Sequence, residues 1–179
     1  RRALYFPGRD APSEDYGVNW ERDQICAELS RLAYVPFEKG QLPKLTKALV
    51  KARFSEPRCF NDDREDAQGF ATLAPDGTAY VAFRGTQINR PKDIMRDLDA
   101  TPTPWRDGAW VHSGFWKTYA SLREEIRKWL EETGHQQLVV TGHSLGAAMA
   151  TLMAAEYPMA DLATFGSPRV GNAAFAKLF

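Results

Sequence analysis

What this sequence has little of narrows its chemistry first. Neither charge is in surplus, with 23 basic and 23 acidic residues, so nothing points to nucleic acid or an anionic membrane surface as partner. The two cysteines, Cys26 and Cys59, have no special spacing. A disulfide between them stays open, two half-buried thiols is the plainer reading, and neither sets a redox compartment. No apolar run approaches the length of a membrane span, and there is no internal repeat or low-complexity tract. The chain opens Arg1-Arg2-Ala3 with neither an initiator methionine nor a signal-peptide pattern, which leaves export open.

What is there suffices for a core. At 179 residues, 44% apolar and with five tryptophans, residues 1–179 suit a single domain or one large piece of a domain. Residues 1–18 are polar, rich in Gly and Pro, and read as an irregular arm. Asn19 is placed to cap a helix over 20–34, where Ile25, Leu29 and Leu32 form a stripe before Pro36. A second helix is expected over 43–52. Residues 69–74 and 78–83, joined by Pro75-Asp76-Gly77, read as a β-hairpin. The polar, Pro-rich segment 87–110 follows, carrying sparse apolar residues at Ile88, Ile94, Met95 and Leu98. A long helix then runs from Ser113, as N-cap, to Gly134, with Phe115, Tyr119, Leu122, Ile126 and Trp129 on one face. Glu124 and Lys128 add an exposed i,i+4 pair.

The chain is organised around its next stretch. Leu138-Val139-Val140-Thr141 is a β-branched run, Gly142-His143-Ser144-Leu145-Gly146 a Gly-x-Ser-x-Gly pentapeptide, and the following residues an Ala-rich helix over 145–157. This is the form of a nucleophile elbow, a strand-to-helix turn with a serine at its apex. Glycines at 142 and 146 let strand and helix close around the turn, and Ser144 is expected in a strained backbone conformation. The N–H of Leu145, at the helix start, would face developing negative charge. Another strand follows at 162–165. Strand–helix–strand alternation at this spacing predicts parallel pairing, hence an α/β fold with a mostly parallel central sheet and helices on both faces.

With these segments in order, the chain resembles the class 3 lipases, the fungal-lipase-like branch of the α/β-hydrolases. Val81-Ala82-Phe83-Arg84-Gly85-Thr86 is similar to the family's strand and oxyanion turn. Val111-His112-Ser113-Gly114-Phe115 is similar to the start of its long helix, Thr141-Gly142-His143-Ser144-Leu145-Gly146 to its elbow. The segment Thr164-Phe165-Gly166-Ser167-Pro168-Arg169-Val170-Gly171-Asn172 is similar to the strand and loop beyond. The resemblance implies Ser144 as nucleophile, and Thr86 with the backbone N–H of Leu145 as the oxyanion hole. It implies a lid over 87–98, carboxylic esters (mostly lipids) as substrates, and neither metal nor organic cofactor. Because 87–98 is polar, only weak interfacial activation and a preference for soluble short-chain esters are expected.

The triad order in this fold is Ser, then acid, then His. The resemblance puts the last two beyond the Gly-Ser-Pro-Arg-Val-Gly-Asn segment, and the sequence ends at Phe179. The acid and the histidine are therefore expected outside residues 1–179. Residues within the chain are poor substitutes. His143 reads as structural, His135 lies about 25 Å away at strand rise, and His112 reads as packing or bonding locally before a helix start. Asp161 falls on the wrong edge of the sheet, and Asp97 and Asp99 read as salt-bridge or turn-capping groups. Residues 173–179 form an apolar segment without a stop signal, and strand 162–165 reads as buried on both faces. More chain, or a second chain, is expected to cover that strand and supply acid and base. Two functions remain: a serine carboxylic-ester hydrolase acting through an acyl-enzyme on Ser144, and a catalytically silent hydrolase-fold module that binds lipid or a protein.

Overall fold

The computed structural model describes residues 22–86 and 101–179. The first helix, α1 (Arg22–Leu32), buries Cys26, Leu29 and Leu32. After a 3-10 turn at Phe37–Lys39, α2 (Leu42–Lys51) starts with a proline in its first turn and buries Leu45, Ala48 and Leu49. Strands β1 (Arg58–Asp62), β2 (Ala67–Leu73) and β3 (Thr78–Phe83) form an antiparallel meander. A separate short hairpin, β4 (Pro102–Pro104) with β5 (Trp110–His112), leads into α3 (Ser113–Thr133). Then come β6 (Gln137–His143), α4 (Leu145–Glu156), β7 (Asp161–Phe165) and the single turn α5 (Ala173–Ala176).

The central sheet has the order β1-β2-β3-β6-β7. β3, β6 and β7 are parallel neighbours, and β1 points the same way because two antiparallel pairings separate it from β3. Only β2 runs against the rest. Alternation of side chains across the pleat divides the interior into two cores. Ala79, Val81, Phe83, Leu138 and Val140 face α3 and α4. Tyr80, Ala82, Val139 and Phe70 face α1 and α2. The all-apolar reading of α4 is explained by its place, since Leu145–Ala150 and Leu152–Ala155 are all buried.

One polar cluster fastens α1 to the sheet. Thr141, fully buried in β6, donates its hydroxyl proton to the Ala163 carbonyl of β7 at 2.8 Å. That leaves the buried Ser30 hydroxyl of α1 to donate to Thr141 Oγ1, 2.9 Å away. Arg22 adds an ion pair to Asp161 at the start of β7, and the register, Asp161 opposite Val139 and Phe165 opposite His143, puts Asp161 at the edge away from Ser144.

Several boundaries depart from the sequence reading. β1 escaped it because Phe60 is the one fully buried residue in a strand otherwise exposed or half-exposed, so no alternation marks it. The β4–β5 hairpin falls inside the segment read as loop. Ser113 is the first residue of α3 rather than its N-cap; His112 takes the cap position and makes no side-chain capping bond. The core stripe of α3 ends on Leu130, 5% exposed, while Trp129 only packs at the margin. Glu124 does approach Lys128, at 3.9 Å, but Arg127 holds it more closely, at 2.7 Å. Both thiols are free, Cys26 fully buried and Cys59 half-buried, and desolvation pushes each up to about 11. Strand β7 is the edge that the sequence reading leaves at 162–165, and there Leu162–Phe165, apolar in pattern, are half-buried. Asn19 and the arm 1–18 lie outside the described residues.

Thr141→Val should lower unfolding free energy by about 1–3 kcal/mol, since it strands the buried Ser30 hydroxyl. Ser30→Ala in the same chain should recover part of that loss. Urea denaturation of the four variants of the cycle reads both effects.

Candidate active site

The parallel register brings three loops to one edge. Phe83 pairs with Gly142, and His143 with Phe165, so Arg84-Gly85-Thr86, Ser144-Leu145 and Gly166-Ser167 all leave the sheet at its C-terminal side. The turn after β6 is closed by backbone against backbone. A Cβ on Gly142 would lie 2.3 Å from the Gly146 carbonyl, and one on Gly146 would lie 2.3 Å from the carbonyl oxygen of Phe83. Neither position has room for a side chain. The pentapeptide thus fixes the elbow on itself and on β3 together.

Ser144 sits at the apex with φ 56° and ψ −122°, a conformation that costs about 1–3 kcal/mol and persists only where neighbours enforce it. They do so here on both sides. The Ser144 N–H donates to the Phe165 carbonyl at 3.0 Å, and its own carbonyl accepts from Ala147 and Ala148 at 3.0 and 3.3 Å. Leu145 begins α4, so its N–H has no acceptor within the helix and lies at the positive end of the helix dipole. Thr86, half-buried, ends the segment that leaves β3.

That segment is anchored by Arg84. Its backbone N–H donates to the Gln68 carbonyl at 2.9 Å, extending the β2–β3 ladder by one residue. Its guanidinium is 3% exposed and donates to the Gln68 side chain, the Asp66 carboxylate and the Asp66 carbonyl. Burying a cation is costly unless it is paired and hydrogen-bonded, and this one has both kinds of partner. The exit of β3 is therefore held from below.

The histidines are placed as follows. His135 turns Nδ1 towards the Leu130 carbonyl at 3.3 Å, at the far end of β6. His112 stacks on Phe115 with ring centroids 4.2 Å apart. His143 lies 2.8 Å through Nδ1 from the hydroxyl of Tyr34, and its Nε2 faces Gly166. Partial burial holds its imidazole below the ordinary value, so the neutral ring is favoured. Tyr34 itself is absent from the sequence reading. The contact spans 109 residues and leaves no local pattern. Residues 87–98 of the expected lid, with Asp97 and Asp99, lie outside the described residues. Among the described residues there is no group of three or more His, Cys, Asp or Glu able to hold a metal ion, and no helix long and apolar enough to cross a membrane.

The chain is similar to known proteins in sequence and fold. The family model for lipase (class 3) matches residues 80–179. The secreted mono- and diacylglycerol lipase A of Penicillium cyclopium is 38% identical over 151 residues, covering 78% of this chain and 48% of that protein. Phospholipase A(1) DAD1 of Arabidopsis thaliana is 43% identical over 125 residues, 55% of this chain and 28% of its own length. The crystal structure of a mono- and diacylglycerol lipase from Aspergillus oryzae superposes with a TM-score of 0.71 at 26% identity, over 89% of this chain and 67% of that one. The chain spans about half the length of the Penicillium relatives it matches.

Gly146→Ala should destabilise by about 3 kcal/mol or more, because backbone must move to admit the methyl. Gly134→Ala, where a Cβ meets open space at φ 60°, should cost only about 1–2 kcal/mol. Thermal melts of the two variants separate the effects. His143 contributes a pH dependence of definite sign. Its folded value lies below the unfolded 6.5, so the native state binds fewer protons than the unfolded chain between the two values. The contribution is present in full above 6.5 and is lost as pH falls through the folded value. His143→Asn should flatten the stability curve in that window, measured by denaturation from pH 7.5 downwards.

Proposed function

This chain belongs to the class 3 lipase family, and on that premise we propose that it carries the nucleophile and the oxyanion hole of a serine carboxylic-ester hydrolase. The observation that carries the reading is the backbone of Ser144, a non-glycine residue at φ 56° between a strand and a buried helix. Such strain is kept where it aims a side chain. Ser144 Oγ attacks the ester carbonyl and passes its proton to a histidine supplied from outside residues 1–179. The oxyanion of the tetrahedral intermediate accepts from the N–H groups of Thr86 and Leu145, with the Thr86 hydroxyl able to add a third bond. Collapse expels the alcohol and leaves an acyl-enzyme, which water then hydrolyses with the same base.

The substrates are lipid esters. Relatives named as mono- and diacylglycerol lipases and as a phospholipase support that class without choosing the headgroup. The polar segment 87–98 makes transient contact with a lipid interface, with weak interfacial activation. The protein is secreted, as the name of the Penicillium relative suggests. Strand β7, half-exposed at the end of the sheet, is covered by further chain or by a second subunit, which brings the acid and the base.

The test uses the full-length protein. A fluorophosphonate probe should label it at Ser144, and p-nitrophenyl butyrate should be hydrolysed. Ser144→Ala should abolish labelling and lower kcat by about 10⁴- to 10⁶-fold. A wild-type protein that is neither labelled nor active would leave the silent lipid- or protein-binding module as the better reading.

A further inference from the structure

Tyr34 belongs to neither the matched family segment, residues 80–179, nor any motif in the chain, yet its hydroxyl touches two of the three loops at the catalytic edge. It lies two residues past the end of α1. Tyr34 N–H donates to the Arg31 carbonyl at 3.2 Å and Val35 N–H to Leu32 at 2.9 Å, so its backbone continues the last turn of a helix already fastened to β6 through Ser30 and Thr141. Its phenol is thereby aimed from a rigid element.

The protons can be assigned. The Gly85 N–H donates to the Tyr34 hydroxyl oxygen. The phenolic proton is then free to point at His143 Nδ1, 2.8 Å away. A neutral imidazole accepts there only if its own proton is on Nε2, the nitrogen that faces Gly166. The chain of bonds runs Gly85 N–H to Tyr34 O–H to His143 Nδ1, all in one sense. Tyr34 remains a phenol throughout, because burial raises its pKa more than Gly85 and the nearby Arg84 lower it.

Gly85 has no slack in this arrangement. A Cβ there would lie 2.2 Å from the Tyr34 hydroxyl and 2.5 Å from the His143 backbone carbonyl. The glycine is pinched between the tyrosine and the elbow. Its chain neighbour is Thr86, and the residues that follow His143 are Ser144 and Leu145. A single hydroxyl thus bridges the residue before one oxyanion donor to the residue before the nucleophile.

We propose that Tyr34 is a positioning residue for ester hydrolysis, its hydroxyl setting the spacing between the Gly85-Thr86 turn and the His143-Ser144-Leu145 elbow so that both oxyanion N–H groups converge on one atom. The role rests on the esterase reading of Ser144. It adds a residue bonded to Gly85 and His143, and it acts on the tetrahedral state rather than on substrate capture, because the N–H groups it sets serve an oxygen that becomes negative only there.

The test is Tyr34→Phe in the full-length protein, with p-nitrophenyl butyrate as substrate. A displacement of one donor by a fraction of an ångström to one ångström is expected to lower kcat on the order of 10- to 100-fold, with KM within about twofold. Binding of a trifluoromethyl ketone, which forms the tetrahedral adduct, should weaken by the same factor. His143→Asn, whose Oδ1 offers an acceptor where Nδ1 stood, should retain activity within about threefold. His143→Leu should fall as far as Tyr34→Phe, and the double variant Tyr34→Phe/His143→Leu no further. If Tyr34→Phe does not fold, the Asn–Leu comparison at 143 decides alone. Equal activity of the Asn and Leu variants, or a Tyr34→Phe enzyme that changes KM and not kcat, overturns the proposal. A wild-type protein inert to fluorophosphonate overturns the esterase reading, and this role with it. An active wild type beside an equally active Tyr34→Phe overturns this role alone.

Discussion

The contact between Gly146 and the carbonyl of Phe83 is the constraint on which the rest of this structure depends. It puts the first turn of α4 directly against the end of β3, with no side chain between them. A helix can approach a strand that closely only through glycine, and it does so here at the residue two past Ser144. The result is that the helix following Ser144 and the turn carrying Thr86 share one backbone interface. Any motion of α4 along its axis must also move the exit of β3.

The neighbouring features keep that interface from relaxing. Arg84 is held under the turn by Gln68 and Asp66, and a buried guanidinium cannot leave its partners without a large desolvation penalty. On the other side Phe165 takes the Ser144 N–H, so the strained residue is bonded to β7 as well as to its own helix. The two cores grip the sheet from both faces, with α4 buried on nearly its whole circumference. The strain at Ser144, about 1–3 kcal/mol, is small beside the burial of these elements, which is why it can persist.

Much of this was legible from residue order. The elbow announces itself because each part has a separate local cause: β-branched residues before the turn, glycines where backbones meet, alanines after it. The hairpin at Pro75-Asp76-Gly77 and the amphipathic face of α3 follow from periodicity in the same way. β1 was not legible, since one buried phenylalanine in five residues gives no alternation, and its pairing with β2 is a tertiary matter. Nor was the end of the α3 stripe, where Trp129 and Leu130 are both apolar and only packing against the core leaves Leu130 buried and Trp129 at the margin.

The sequence by itself determined the elbow, the α/β order and the residues that belong to the class 3 lipase pattern, because those depend on spacing within a few residues and on the steric properties of glycine and serine. The tertiary structure alone decided what surrounds them. Arg84 finding Gln68 and Asp66, Thr141 meeting Ser30, and Tyr34 reaching both Gly85 and His143 are bonds between residues far apart in the chain. Such partners are chosen by how helices and strands stack, and no local pattern encodes a distance across the sheet.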